Sequence, residues 1–236
     1  MRVNADLCTG CGLCARQCPA RAITVVARKA TIDESQCFEC GVCERSGVCR
    51  SGAFEAPAEL PWPRSVRSIL SNPLTEFKET GVTGRGTEEM KTNDVTGRFP
   101  AGILGVAMDV GRPNAGTTMR AIGKITAAVA QAGVDFEPKN PVTFLMEDVP
   151  AGRLRPDVLD ERVMSAVIEF TVDESGLARV LDAIRGVAGQ VDTVFSVGII
   201  SRVRDDWSIP VLAELERLGH PARAESKVNV GLGRRC

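Results

Sequence analysis

Cys8-Thr-Gly-Cys11-Gly-Leu-Cys14-Ala-Arg-Gln-Cys18-Pro19 is the stretch that decides how this chain is read. Thiolates two residues apart on a tight loop can grip adjacent irons of one cubane, and a fourth cysteine beside a proline leaves that loop. A second run follows at once: Cys37, Cys40, Cys43 and Cys49. Both runs sit in an internal repeat. Val3-Asn-Ala-Asp-Leu-Cys8 aligns with Ile32-Asp-Glu-Ser-Gln-Cys37, and Ala22-Ile-Thr-Val25 with Ala53-Phe-Glu-Ala56. Each half reads as a short strand, a cysteine loop, a helical turn and a returning strand. Zinc sites and a disulfide framework are the other readings. Zinc sites rarely use two successive four-cysteine runs, and disulfides would need an exported chain, whereas no signal peptide precedes Cys8.

Over residues 1–57 the sequence resembles the bacterial ferredoxins that carry two 4Fe–4S clusters. The resemblance implies two such clusters held by crossed ligation. Cys8, Cys11, Cys14 and Cys49 would hold cluster one, and Cys37, Cys40, Cys43 and Cys18 cluster two. The second run departs from the pattern: five residues separate Cys43 from Cys49 where the family has three, and Arg50 replaces proline. That insertion lengthens the loop before the crossing ligand and removes no ligand. Cys236, the ninth cysteine, is expected to ligate neither cluster.

At 236 residues the chain can hold one large or two modest domains. Its hydrophobic content of 44% suffices for a buried core, and no stretch reaches the length of a membrane span. Thiols and clusters together imply a reducing, cytoplasmic location. The formal net charge of −1 and the scattered arginines argue against nucleic acid as a partner. There is no tyrosine, and the only histidine is His220. It follows a helix ending at Gly219, where it is expected to meet the last carbonyls. Histidine-ligated metals and histidine base catalysis are therefore not expected.

The domain reading is a two-cluster ferredoxin domain at 1–57, a linker with a polar loop at 58–102, and an α/β ligand- or partner-binding domain at 103–236. Between Pro57 and Pro73 the stretch Arg64–Leu70 predicts two helical turns, and Trp62 is expected to pack the domains together. The polar loop 81–102 is glycine-rich and carries Arg85, Lys91, Asn93 and Arg98, donors suited to an anion or an amide. A solvated linker is the other reading. From Ile103 onward strand and helix alternate: strands at 103–110, 142–146, 163–172, 193–200 and near 222–232, with helices at 117–132, 175–189 and 210–218. The turn Gly111-Arg112-Pro113-Asn114-Ala115-Gly116-Thr117 places an arginine and backbone amides at a helix start. Arg112, Asn114 and Thr117 are thus candidates for an anion pocket, or Thr117 or Thr118 is an ordinary N-cap.

The fold class is α+β, a dicluster ferredoxin fold followed by a ferredoxin-like α/β sandwich. Residues 163–203 resemble the first strand–helix–strand of an ACT-type ligand-binding domain. Residues 84–113 resemble 6-hydroxynicotinate reductase-type proteins, which implies ferredoxin-dependent reduction of a carboxylated N-heterocycle in anaerobic metabolism. Three functions are open. The chain is the electron-transfer component of a low-potential reductase, a self-contained reductase, or a binding protein that senses redox state and a metabolite. The partners expected are a redox protein or reductase subunit, a small carboxylated ligand and, for assembly, a second copy of the chain.

Overall fold

A computed structural model describes residues 1–79, 81–87 and 97–223. In the cysteine-rich segment the sequence repeat is also a repeat of bonds. The antiparallel pair β1 (Arg2–Val3) and β4 (Phe54–Glu55) corresponds to the pair β2 (Ile23–Val26) and β3 (Lys29–Ile32). Asn4 Oδ1 accepts from the Asp6 amide at 3.0 Å, and Asp33 Oδ1 accepts from the Ser35 amide at 2.9 Å. Both short polar side chains fold back on their own backbone, which starts the loop. The Cys8 and Cys37 amides then donate to the Asn4 and Asp33 carbonyls. Helices α1 (Leu13–Gln17) and α2 (Val42–Arg45) start from Gly12 and Gly41, at φ 76° and 67°. Those left-handed angles cost glycine little and strain other residues.

The connector forms α3 (Ser65–Ser71), as the amphipathic pattern predicts, and buries Val66 and Leu70 in the main core. The short hairpin β5 (Glu76–Phe77) and β6 (Val82–Thr83) follows. Trp62 does join parts of the chain, but its contacts run from the connector to the later region, where Nε1 donates to Asp157 Oδ2 at 2.6 Å. The Arg155 guanidinium lies 4.8 Å from its ring centre.

The later region is built on one antiparallel sheet. In chain order its elements are β7 (Ile103–Val110), β8 (Thr117–Thr118), α4 (Met119–Ala130), β9 (Asp135–Phe136), α5 (Pro141–Phe144), β10 (Met146–Asp148), β11 (Arg153–Leu154), β12 (Arg162–Val163), β13 (Ala166–Asp173), α6 (Leu177–Ala188), β14 (Phe195–Ile200) and α7 (Pro210–Arg217). The four-stranded sheet has the order β14-β7-β13-β9, with every neighbouring pair antiparallel. This is a split β-α-β arrangement: the two long helices cross between strands that are not neighbours. β7 and β13 pair from Ile103↔Asp173 to Val110↔Ala166. Leu104, Val106, Met108 and Val110 alternate onto one face, where Ile122, Ile125 and Val129 of α4 and Val180, Ile184 and Val187 of α6 bury against them.

Two sequence expectations fail here. Residues 141–144 are helical, not the first part of a strand at 142–146. Asn140 caps this turn by accepting from the Val142 amide at 2.7 Å, and Pro141 occupies the first helical position. That start signal overrides the β-branched run behind it. The His220 ring faces Arg185 of α6 at 2.5 Å rather than the carbonyls of α7, to which it is joined by its backbone amide through Leu215. The last expected strand, near 222–232, lies outside the described residues from 224 onward. No helix among the described residues is long and apolar enough to cross a membrane.

Candidate metal centre

The eight N-terminal cysteines are free thiols. Their electrostatic neighbours fall into two groups that cross the sequence order. The Cys14 thiol is raised by burial and also by the charges of Cys11 and Cys49. Cys43 is pushed up to about 12, by burial first and then by Cys40, Cys37 and Cys18. Burial likewise raises Cys37 to about 11, and raises Cys40, which has Cys18 for a neighbour. Thus Cys49 stands with the first run and Cys18 with the second.

Each crossing cysteine is held in the same way. The Ala22 amide donates to Cys18 Sγ and the Ala53 amide to Cys49 Sγ, both at 3.3 Å. The loop between Cys43 and Cys49 therefore absorbs its extra residues without disturbing this bond. It does so through the Gly47 turn, whose amide bonds to the Glu44 carbonyl. The Ala30 and Glu39 amides donate to Cys8 Sγ and Cys37 Sγ. Ser51 beside Cys49 holds that thiol below its ordinary range by hydrogen bonding.

Cys18, Cys37, Cys40 and Cys43 line one recess, together with Ile23, Ile32 and Phe38. Four thiols in an apolar wall are costly as thiolates unless a bound group brings compensating positive charge. Among the described residues no three His, Cys, Asp or Glu side chains converge on a point as a single ion requires. Four cysteines lining one recess are the donor set of a polynuclear iron–sulfur group.

The sheet region packs against two residues that line this recess, Phe38 and Pro19. Gly116, at φ 67°, abuts the Phe38 ring, so a Cβ there would overlap it. The Asn114 amide donates to the Pro19 carbonyl, next to Cys18, at 2.8 Å. Arg67 of α3 donates to the carbonyls of Cys37 and Glu34 at 2.8 and 2.9 Å and pairs with Glu161. Nothing in the sequence singled out Phe38, Arg67 or Gly116 for this role, because the residues each meets lie far away along the chain.

The candidate anion residues are placed differently from one another. Arg112 donates to the Gly111 carbonyl at 2.7 Å and to Ser196 Oγ at 2.8 Å, so it braces its own turn. The first amides of α4 are taken by protein oxygens: Met119 by Glu161, Arg120 by Leu159 and Ala121 by the Thr118 cap. Thr117 Oγ1 is buried without a hydrogen-bond partner among the described residues. Arg85 donates to Ser165 Oγ at 2.6 Å, and its carbonyl accepts from the Val167 amide on the edge of β13. Arg98 lies 3.1 Å from Glu137, close enough to pair as charges though not aligned for a hydrogen bond. Lys91, Asn93 and Cys236 lie outside the described residues. Close to this loop is a buried carboxyl that the sequence reading missed. Glu169 accepts from Asn140 Nδ2 at 2.6 Å and from the Thr87 amide at 2.9 Å. Burial pushes it up to about 7, and Glu137 adds to the rise. An acid in the middle of the apolar run Ala166–Val172 was the signal available.

The N-terminal segment is a ferredoxin-type 4Fe–4S domain: residues 1–24 match the 4Fe-4S binding domain family, Fer4. Two curated relatives agree. The chain is 42% identical over 60 residues to the indolepyruvate oxidoreductase subunit IorA of Pyrococcus horikoshii, which covers 25% of this chain and 9% of that one. It is 57% identical over 36 residues to a probable ferredoxin of Methanosarcina thermophila, covering 15% of this chain and 62% of that one. The chain thus spans under two thirds of either relative. No solved structure matches it.

Proposed function

We propose that the chain is an iron–sulfur electron-transfer protein that holds two 4Fe–4S clusters and serves as a component of a low-potential reductase. Cys8, Cys11, Cys14 and Cys49 would hold one cluster and Cys37, Cys40, Cys43 and Cys18 the other. The observation that carries this reading is the crossing of Cys18 and Cys49 into the opposite cysteine group. A bound cluster of this type supplies one-electron transfer at a potential set by charge, burial and hydrogen bonds to sulfur. The chain's own part is to furnish eight thiolates, to point the amides of Ala22, Ala53, Ala30 and Glu39 at sulfur, and to exclude water from the second site.

Residues 1–57 would act as the electron-transfer unit, 58–102 as a connector, and 103–236 as the unit that binds substrate or a catalytic partner. The likeness to an oxidoreductase subunit supports the component reading. So does the packing of Phe38 and Pro19 on the turn at 114–116, which brings the second site against the sheet region. A carboxylated ligand at Arg85 and Arg98 is the substrate-binding form of the proposal, and the split β-α-β sheet is the scaffold an ACT-like ligand domain would use.

Replacing Cys18 with Ala is the test. The variant should lose the cluster held by Cys37, Cys40 and Cys43 and keep the other, as read by iron content and the reduced-state electron paramagnetic resonance signal. Loss confined to the Cys8–Cys14 cluster would contradict the crossed assignment.

A further inference from the structure

The cysteine-rich segment divides its charge into two unlike halves. Residues 1–32 carry five basic side chains, Arg2, Arg16, Arg21, Arg28 and Lys29, against one acid, Asp6. Residues 33–57 carry five acids against Arg45 and Arg50. Two of those acids are matched from α3 and its start: Glu39 pairs with Arg64 at 2.5 Å, and Glu34 with the same arginine at 3.5 Å. In the basic half, Arg2, Arg16, Arg21 and Arg28 are exposed and form no ion pair among the described residues.

Apolar side chains stand among these cations. Leu7, Leu13, Val25 and Val26 are all exposed, Val26 by 62%. Leu7, Leu13 and Val25 stand on the side of the Cys8–Cys14 loop, which lies on the β2–β3 hairpin, whereas Val26 alternates to the other side of β2. The Ala30 amide donates to Cys8 Sγ at 3.3 Å, Lys29 Nζ donates to the Cys8 carbonyl at 2.8 Å, and a Cβ added at Gly12 would lie 3.8 Å from the Val25 side chain. Cys11 is exposed at the same face. In the other cysteine group none of the four is exposed, Cys40 is buried, and the neighbouring Phe38 packs under Gly116. Exposed apolar side chains interleaved in the chain with unmatched positive charge are the form of a surface that docks a negatively charged partner.

We propose that this face docks an acidic electron-carrier protein, which exchanges one electron with the site of Cys8, Cys11, Cys14 and Cys49. The proposal rests on the two-cluster reading above. In the step, one electron leaves the reduced carrier and one is gained at this site, with no bond made or broken. The buried site then relays the electron toward the sheet region.

Voltammetry of the holoprotein on gold coated with carboxylate-terminated or ammonium-terminated monolayers tests the docking face directly. A response is expected on the carboxylate surface and not on the ammonium surface. Combining Arg16→Glu with Arg28→Glu should lower the electron-transfer rate there by roughly tenfold, the scale on which steering charges act. Iron content and bleaching by dithionite should stay unchanged. The milder Arg16→Gln, Arg28→Gln pair should fall between and guards against a misfolded reversal variant. Equal response on both surfaces, a preference for ammonium, or full response from the reversal variant would overturn the docking face while leaving the clusters in place. Co-sedimentation of the holoprotein with phosphatidylserine vesicles would assign the face to a membrane and also overturn it. A protein that binds no iron would instead sink the cluster reading, and this proposal with it.

Discussion

Arg67 shows most clearly how single residues join the cysteine-rich segment to the rest of the chain. Its buried guanidinium serves the Cys37, Glu34 and Ser35 carbonyls and the Glu161 carboxylate at once. Such a group is costly to bury but far costlier to remove, since its partners are left without a donor. Arg67→Ala should therefore destabilise the protein by about 3 kcal/mol or more. Urea unfolding of the holoprotein checks this, and a loss within about 0.5 kcal/mol, typical of a surface site, would refute it. The cysteines were legible from the sequence because a cubane needs side chains at fixed spacings. Arg67 was not, because a lone arginine on a short amphipathic helix looks the same whether it reaches solvent or three carbonyls.

At the scale of elements, β13 carries an acid where its pattern calls for an apolar residue. Glu169 lies 3% exposed, and its carboxyl is raised from an ordinary 4.5 to about 7. Between those two values the folded chain keeps a proton that the unfolded chain has lost. Stability from this group is thus fully present below about pH 4.5, falls as the pH rises toward 7, and is level above that. The full cost at pH 8 is about 3 kcal/mol. Glu169→Gln should remove this slope, so the variant should gain on the wild type between pH 5 and pH 8. Paired unfolding curves at the two pH values decide the matter, and an equal difference at both would rule the idea out. Most elements of the sheet region were readable from alternation and helical spacing. The exceptions have physical causes: the Asn140–Pro141 cap turned a strand-like run into α5, and the turn after β7 could not reveal what its amides would meet. A helix start that opens on solvent and one that opens on Glu161 and Leu159 share the same local sequence.

Across the whole molecule the two parts are joined by contacts that no pattern announces. Phe38 packs on Gly116, and the Pro19 carbonyl accepts from Asn114. The sequence reading recovered the N-terminal unit and the later α/β alternation, but not how one packs on the other. Cys11 of one cysteine group is exposed, while Phe38 beside the other packs on the sheet region. The central claim is that both groups carry a cluster despite the longer loop between Cys43 and Cys49. Quantifying iron and acid-labile sulfide in anaerobically purified protein tests it most directly. Two cubanes require about eight of each per chain, and a value near four would show that one site stays empty.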